Sequence, residues 1–550
     1  MNRLALFFKK TWPNFSLLER IFCFLFLFSL IVGLIFLFNF FLNKITVEVP
    51  KNGGSLKLGL ICHPSLINPI FLSINDCDRD LTEVVFDGLF EIDGKGGIIP
   101  RLAEKVEIAP DGKTYTVILK NNIFWHDGMP ITSEDVAFTV ETIQNPKIKS
   151  PLRLNWEGIV VEPLSSSVVR FYLRNPYGSF LEHLTLKIIP KHIWQNIEPE
   201  NFALAEYNLK PVGSGPYLFE SLEKDKNGKI LGYSLLANQD YYLTPPKINN
   251  LVFHFYNSYK EAKEALLKKE IEGFSPVSLE DIKFFKEKKG IELKNLVLTG
   301  YYAVFYNLKN PLFTLEVRKA LELAIDKNQL VSEVFKNQVL PLDNIFLPPF
   351  SLKKINNSTS SLKEAEEILS KLGYSKDKPL KFKLYLPDDE IALNVSNFLI
   401  NSWKKIGVEV EPVVLPPQQL TQEVIETRTY DALFFGEIIG EVADLYSFWH
   451  SSQINSPGLN LSLYKNKNLD ALIEENRIIL DSKKREENFE KISQIFKEEK
   501  PALFLYNSSY LYLLPQKVKG NNISLANLPS ERFADISNWY LYTQKKLKLK

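Results

Sequence analysis

The sequence predicts a mixed α/β protein carried outside a membrane by one N-terminal helix. Three observations predict it. Residues Ile21–Leu42 (IFCFLFLFSLIVGLIFLFNFFL) run for 22 positions without a charge. The second half of the chain alternates β-like runs with amphipathic helical ones. The 550 residues leave room for several domains at roughly 100–200 residues each.

The apolar run comes first. As a helix it spans about 33 Å, enough for the hydrocarbon core of a bilayer. Arg3, Lys9, Lys10 and Arg20 precede it, opposed by Glu19, and Lys44, Glu48 and Lys51 follow. That cationic excess places the N-terminus in the cytoplasm and the bulk of the chain outside. A cleaved secretory signal has an apolar core of only about 7–15 residues and a small-residue exit. This run is longer and ends Phe40-Phe41-Leu42, and Cys23 lies at its start, not at the end where a lipid-bearing cysteine would stand. An uncleaved signal-anchor is expected, with 1–20 cytoplasmic, 21–42 spanning and 43–55 a linker. Val49–Ser55 supplies the polar, Pro- and Gly-bearing part of that linker.

The exterior part begins with a strand at Leu56–Ile61. A helix is expected over Leu81–Ile92, from apolar Leu81, Val84, Val85, Leu89 and Phe90. A strand at Tyr115–Leu119 follows the turn Pro110-Asp111-Gly112. Thr132, with Asp135 three residues on, marks a helix start. Further along, a helix at Leu362–Leu372 stops at Gly373, and a strand at Leu380–Leu386 follows. A helix over Glu390–Ile406 is closed by Gly407, and a strand at Val408–Val414 comes next. A helix over Gln418–Glu426 leads to a strand at Tyr430–Phe435. Helices over Asn468–Leu480 and Glu486–Glu499 precede a strand-like Ala502–Tyr506. The tail Lys545–Lys550, with four lysines, is expected to fray. Cys62 and Cys77 lie in a compartment that permits pairing, and are either a disulfide or two buried thiols.

Composition removes several functions. Lys+Arg 66 against Asp+Glu 65 gives a net charge of +1, whereas a nucleic-acid partner calls for a cationic surplus. Hydrophobic content of 45% excludes disorder for most of the chain. Three cysteines cannot build a disulfide framework. The six histidines form no H-E-x-x-H, and there is no C-x-x-C or G-x-S-x-G. Gly213-Ser214-Gly215-Pro216 lacks the G-K-[ST] of a phosphate loop, and Pro216 removes an amide such a loop would use. No catalytic residue, metal ligand set or cofactor is expected, and the chain is expected not to be an enzyme.

Several segments carry a resemblance when taken in order. They are Pro100-Arg101-Leu102-Ala103, Pro110–Thr116 (PDGKTYT), Phe124–Pro130 (FWHDGMP) and Ser133-Glu134-Asp135-Val136. Val212–Tyr217 (VGSGPY), Asn238–Tyr242 with Pro246-Lys247-Ile248, Asn307 with Val317–Leu321, and Ala324–Lys327 come next. Ala365–Tyr374, Tyr430-Asp431-Ala432 and Lys517–Gly520 complete the set. The ordered set resembles the extracytoplasmic solute-binding proteins of family 5, the oligopeptide- and dipeptide-binding proteins of ABC importers, over nearly all of 55–520. The resemblance implies a bilobal, type II periplasmic-binding-protein-like fold in its large three-domain variant. Domain I would comprise 56–80, 190–302 and 503–544, extra domain II 81–189, and domain III 303–502. It implies a peptide ligand, an ABC permease and ATPase as partners, a monomer, and capture by hinge closure. Relatives that bind oligosaccharides, nickel complexes or haem, or that act as surface sensors, are the alternatives. The signature turns themselves are read as scaffold.

The resemblance also points to binding residues. The family's acid for the peptide ammonium follows the Y-D-A strand. Counting back from Phe448 selects Glu441, and matching the local Ala-Asp pair selects Asp444. The family's tryptophan would be Ile438 on the first count, a departure, and Trp449 is the alternative aromatic wall. His450 is read as structural. Tyr301, Tyr302 and Tyr306 lie on a strand crossing between lobes. Alternation sends Tyr302 and Tyr306 to one face and Tyr301 to the other. One of those faces either lines the cleft or packs as ordinary strand.

Overall fold

The computed structural model describes residues 15–71, 75–93, 97–345, 360–440, 444–479 and 481–547. An apolar N-terminal helix runs from Leu17 to Ile45. Its segment Leu17–Phe38 has a mean hydropathy of 3.0, with none of it buried against the rest of the chain, and is long and apolar enough to cross a membrane.

The expected linker is not all loop. The helix passes directly into a strand, Thr46–Lys51, that pairs antiparallel with Tyr542–Leu547. Lys545 and Lys546, expected to fray, are therefore held. The register sets Glu48 opposite Lys545 and Thr46 opposite Leu547, and an opposite-charge cross-strand pair favours it. Lys548–Lys550 lie outside the described residues.

Two larger sheets define two lobes. The first has the order 273–275, 55–60, 250–255, 230–237, 217–224, mixing parallel and antiparallel pairs. A four-stranded antiparallel sheet (103–108, 114–119, 168–172, 160–165) stands beside it. One continuous apolar core, from Leu56 through Tyr115 and Trp156 to Trp539, joins the two. The other lobe has the order 408–415, 380–387, 432–438, 291–306, 502–515.

Two long antiparallel strands, Ile291–Tyr306 and Ala502–Pro515, run through both lobes. Their register is regular from Ile291↔Pro515 to Val297↔Ser509, breaks, and resumes at Tyr301↔Asn507. Across the break Leu298 pairs instead with Ala526.

Helix signals held where capping chemistry was explicit. The Thr132 amide donates to Asp135 Oδ2 at 2.8 Å and the helix runs Ser133–Gln144. The expected helix over Leu81–Ile92 instead occupies Asp76–Val85, and Phe90–Ile92 is a strand. Asn75 caps that helix through the Cys77 amide, and an extended Phe86 ends it. Gly88 then lies so close to the next segment that a Cβ would come 2.5 Å from the Thr185 carbonyl oxygen. The segment expected as a helix over Gln418–Glu426 has π-type geometry at Leu420–Ile425.

Cys62 and Cys77 form a disulfide, with Cα atoms 5.9 Å apart. The signature turns pack on each other. The His126 ring bonds the Gly215 carbonyl at 3.0 Å and accepts from the Gly213 amide at 3.2 Å. A Cβ on Gly213 would sit 2.0 Å from the Val85 carbonyl oxygen, so only glycine permits this approach.

Candidate functional site

Two faces of the second lobe's sheet are covered, and this decides where the expected tyrosines lie. Alternation holds. Tyr306, with Val304, joins the core formed with helices Leu315–Leu323, Lys327–Phe335 and Glu390–Lys405. Tyr301, with Ala303 and Phe305, joins the core formed with helices Lys467–Ile478 and Ser482–Glu499. Tyr301 and Tyr306 are thus enclosed in these two cores, while Tyr302 is only partly buried.

Tyr301 is fully buried, and its hydroxyl donates to the Glu437 carboxylate while accepting from Trp449 Nε1 at 3.0 Å. Burial pushes the Glu437 carboxyl well above the usual carboxylate range. Trp449 is 1% exposed and packs on Phe496, Phe305 and Phe504. Tyr302 is half-buried, stacked on Phe434 and Tyr506. Tyr306 packs on Phe313. His450 is buried, bonded to Ser452 Oγ at 2.8 Å and to Glu474 at 3.2 Å.

Beyond the end of strand Ala432–Ile438, the chain meets the other lobe. Ile438 is 53% exposed. The Ile439 amide donates to the Thr299 carbonyl, and the Thr299 hydroxyl donates to Asn527 at 2.8 Å. Gly440 adopts φ +72°, and a Cβ there would lie 2.9 Å from Glu182 Oε1. Glu441 follows and lies outside the described residues.

Asp444 is already engaged. Its Oδ2 accepts from the Tyr177 hydroxyl at 3.0 Å and lies 3.2 Å from Arg477 Nε, and its Oδ1 accepts from the Tyr446 amide. The Arg477 guanidinium lies over the rings of Tyr177 and Tyr446, 5.0 and 4.5 Å from their centroids. The Gly178 amide donates to the Arg477 carbonyl at 2.5 Å. Tyr177 and Gly178 belong to the first lobe and Asp444 and Arg477 to the second, so the lobes touch here. His183 packs on Tyr177, and burial pushes its imidazole down to about 4.

Beside this junction, in the first lobe, lies a chamber of about 460 Å³. That is within the roughly 300–1,000 Å³ of small-ligand sites. Its walls carry five carboxylates (Asp78, Glu83, Glu91, Glu182, Glu531) against two cations, Arg79 and Lys187. Asp78 is committed to the amides of Ser65 and Leu66, Glu83 to Lys187 and Glu91 to Arg101. Glu531 accepts from the Asn527 amide at 2.8 Å. Burial, reinforced by Glu83, pushes its carboxyl up to about 8. Apolar Phe90, Leu152, Trp156 and Leu186 supply the rest of the lining. Among the described residues no group of His, Cys, Asp and Glu is placed to hold a metal ion.

Tyr177, Glu182, Arg477 and Glu531 were not foreseen. Tyr177 and Arg477 read as a loop aromatic and a helix-surface cation. Only the packing of distant segments brings them together.

The comparisons with known proteins agree with this architecture. The chain is 27% identical over 516 residues to the oligopeptide-binding protein AppA of Bacillus subtilis, covering 90% of this chain and 92% of that one. The solved ABC transporter substrate-binding protein CtaP of Listeria monocytogenes superposes with a TM-score of 0.77 at 26% identity, over 89% of this chain and all of that one. The structure of Bacillus subtilis AppA in complex with a nonapeptide gives a TM-score of 0.68 at 26% identity, over 90% of this chain and all of that one. The fold is thus the type II periplasmic-binding-protein fold. Residues 97–457 match the model of the bacterial extracellular solute-binding proteins, family 5, and the chain belongs to that family.

Proposed function

We propose that the chain is the substrate-binding protein of an ABC importer, tethered outside the cytoplasmic membrane by its N-terminal helix. It takes peptides between its lobes by hinge closure and delivers them to the permease and ATPase. Binding and closure are the mechanism, and no bond is broken. The observation that carries this reading is the junction of Tyr177 with Asp444 and Arg477, set beside an acid-rich chamber. The relatives' names, an oligopeptide-binding protein and a nonapeptide complex, support a peptide over other solutes. The apolar helix and the Cys62–Cys77 disulfide support an extracytoplasmic body.

Asp444 is occupied by Tyr177, Arg477 and the Tyr446 amide. That supports Glu441 as the acceptor of the peptide ammonium, with Asp444 as part of the contact between lobes. The buried bonds among Tyr301, Glu437 and Trp449 support a positioning role for those residues, holding the end of the strand that leads to Glu441. Calorimetric titration with unblocked and N-acetylated peptides tests this. Unblocked peptides bind more tightly to the parent protein, and Glu441→Gln removes the difference. An unchanged preference in Glu441→Gln would refute the assignment.

A further inference from the structure

A groove of about 650 Å³ lies on the other side of the two long strands. One wall, with Ser278 and Leu279, comes from the first lobe. The opposite wall, with Glu333, Ile391, Asn394 and Phe398, comes from the second lobe's helices Lys327–Phe335 and Glu390–Lys405. Leu279 packs against both the second lobe's core on this face and the small first-lobe core around Phe274 and Phe285.

The Tyr177–Asp444 junction lies on the opposite sheet face. Arg477, its second-lobe partner, is carried by helix Lys467–Ile478, which packs in the core of Tyr301 and Phe305. The groove's helices pack in the core of Val304 and Tyr306. The register break between Val297 and Tyr301 lies in the strands that separate the two. Rotation about a hinge set between two gaps widens one as it narrows the other. In this structure the lobes touch at Tyr177 and Gly178 while the groove stands open.

We propose that this rear groove sets ligand affinity without touching ligand: bulk placed in it favours the closed arrangement, and its collapse accompanies opening. The proposal rests on the hinge-closure reading above. Apparent affinity scales with the fraction of the binding-competent state. Raising a closed fraction from about 1% to about 10% tightens binding about tenfold.

Asn394 and Glu333 are exposed positions on the groove's wall, where tryptophan is accommodated without disturbing a core. Spin labels on Leu204→Cys and Lys497→Cys, with Cys23→Ser in the full chain in nanodiscs, report the distance between lobes by pulsed electron resonance. The ligand probe is a mixed-sequence pool of unblocked penta- to nonapeptides. The pool narrows the distance distribution of the parent toward the closed value. Asn394→Trp and Glu333→Trp each move the peptide-free distribution the same way and tighten pool binding about tenfold, while Asn394→Ala does neither. If the pool closes the parent but both tryptophan variants keep the parent's distribution, or shift it toward opening, the groove proposal is overturned and the hinge reading stands. If the tryptophan variants close the protein while the pool leaves the parent unchanged, the groove proposal holds and the peptide reading fails.

Discussion

Replacing Tyr177 by phenylalanine removes one oxygen and with it a hydrogen bond that joins the lobes. The Tyr177 hydroxyl donates to Asp444 Oδ2 at 3.0 Å. A hydrogen bond to a charged partner contributes about 1.5–3 kcal/mol. The Asp444 and Arg477 side chains are 21% and 37% exposed, and solvent screening favours the lower end. On the hinge-closure reading proposed above, a bond that joins the lobes counts toward the closed state, and its loss weakens that state relative to the open one. About 1.5 kcal/mol corresponds to roughly a tenfold weaker Kd for peptide. The ring remains, so its contacts with Arg477 at 5.0 Å and His183 at 5.3 Å persist. The melting temperature of the peptide-free protein is therefore expected to be unchanged. Calorimetric titration measures the first quantity and scanning calorimetry the second. A Kd within about twofold of the parent's, or a lowered melting temperature with unchanged affinity, would refute the reasoning.

Arg532 and Asp80, 2% and 1% exposed, pair in bidentate fashion in the first lobe. Arg532→Met strands a buried carboxylate and is expected to cost about 3–5 kcal/mol, read by urea denaturation. Glu531, pushed up to about 8, keeps a proton in the folded protein that the unfolded chain has already released. Its contribution to stability is full below the ordinary glutamate range and declines as pH rises through about 8. Glu531→Gln should flatten that part of the stability profile measured at acidic, neutral and alkaline pH, and an unchanged slope would contradict it. The disulfide closes a sequence separation of 15 residues, so the double variant Cys62→Ala, Cys77→Ala should lose about 3 kcal/mol in the same denaturation assay. Alkaline carbonate extraction should leave the full chain in the membrane pellet, and removal of residues 1–45 should release it.

Much of the architecture was legible in local chemistry. The N-terminal helix needed only an uncharged apolar run. The helix after Thr132 needed only a capping pair, and the strands and helix of 380–415 followed from periodicity. The segment after Gly407 departed from an α-helix at Leu420–Ile425, where no sequence signal marks π-type geometry. The pairing of Thr46–Lys51 with Tyr542–Leu547 joins the two ends of the exterior chain, and short polar strands so far apart carry no local sign of each other. The tyrosine faces were predicted correctly by alternation. Their burial was not settled by it, because whether a strand face meets a cleft or a helix depends on which helices cover the sheet. Local sequence gives Asp444 and Glu441 equal standing, and the contacts of Asp444 with Arg477 and Tyr177 arise only from the packing of distant segments.

The most direct test of the central claim is native mass spectrometry of the full chain, purified in detergent without denaturation. The account predicts released peptides within a narrow range of lengths. A single bound non-peptide mass, recovered reproducibly, would contradict it.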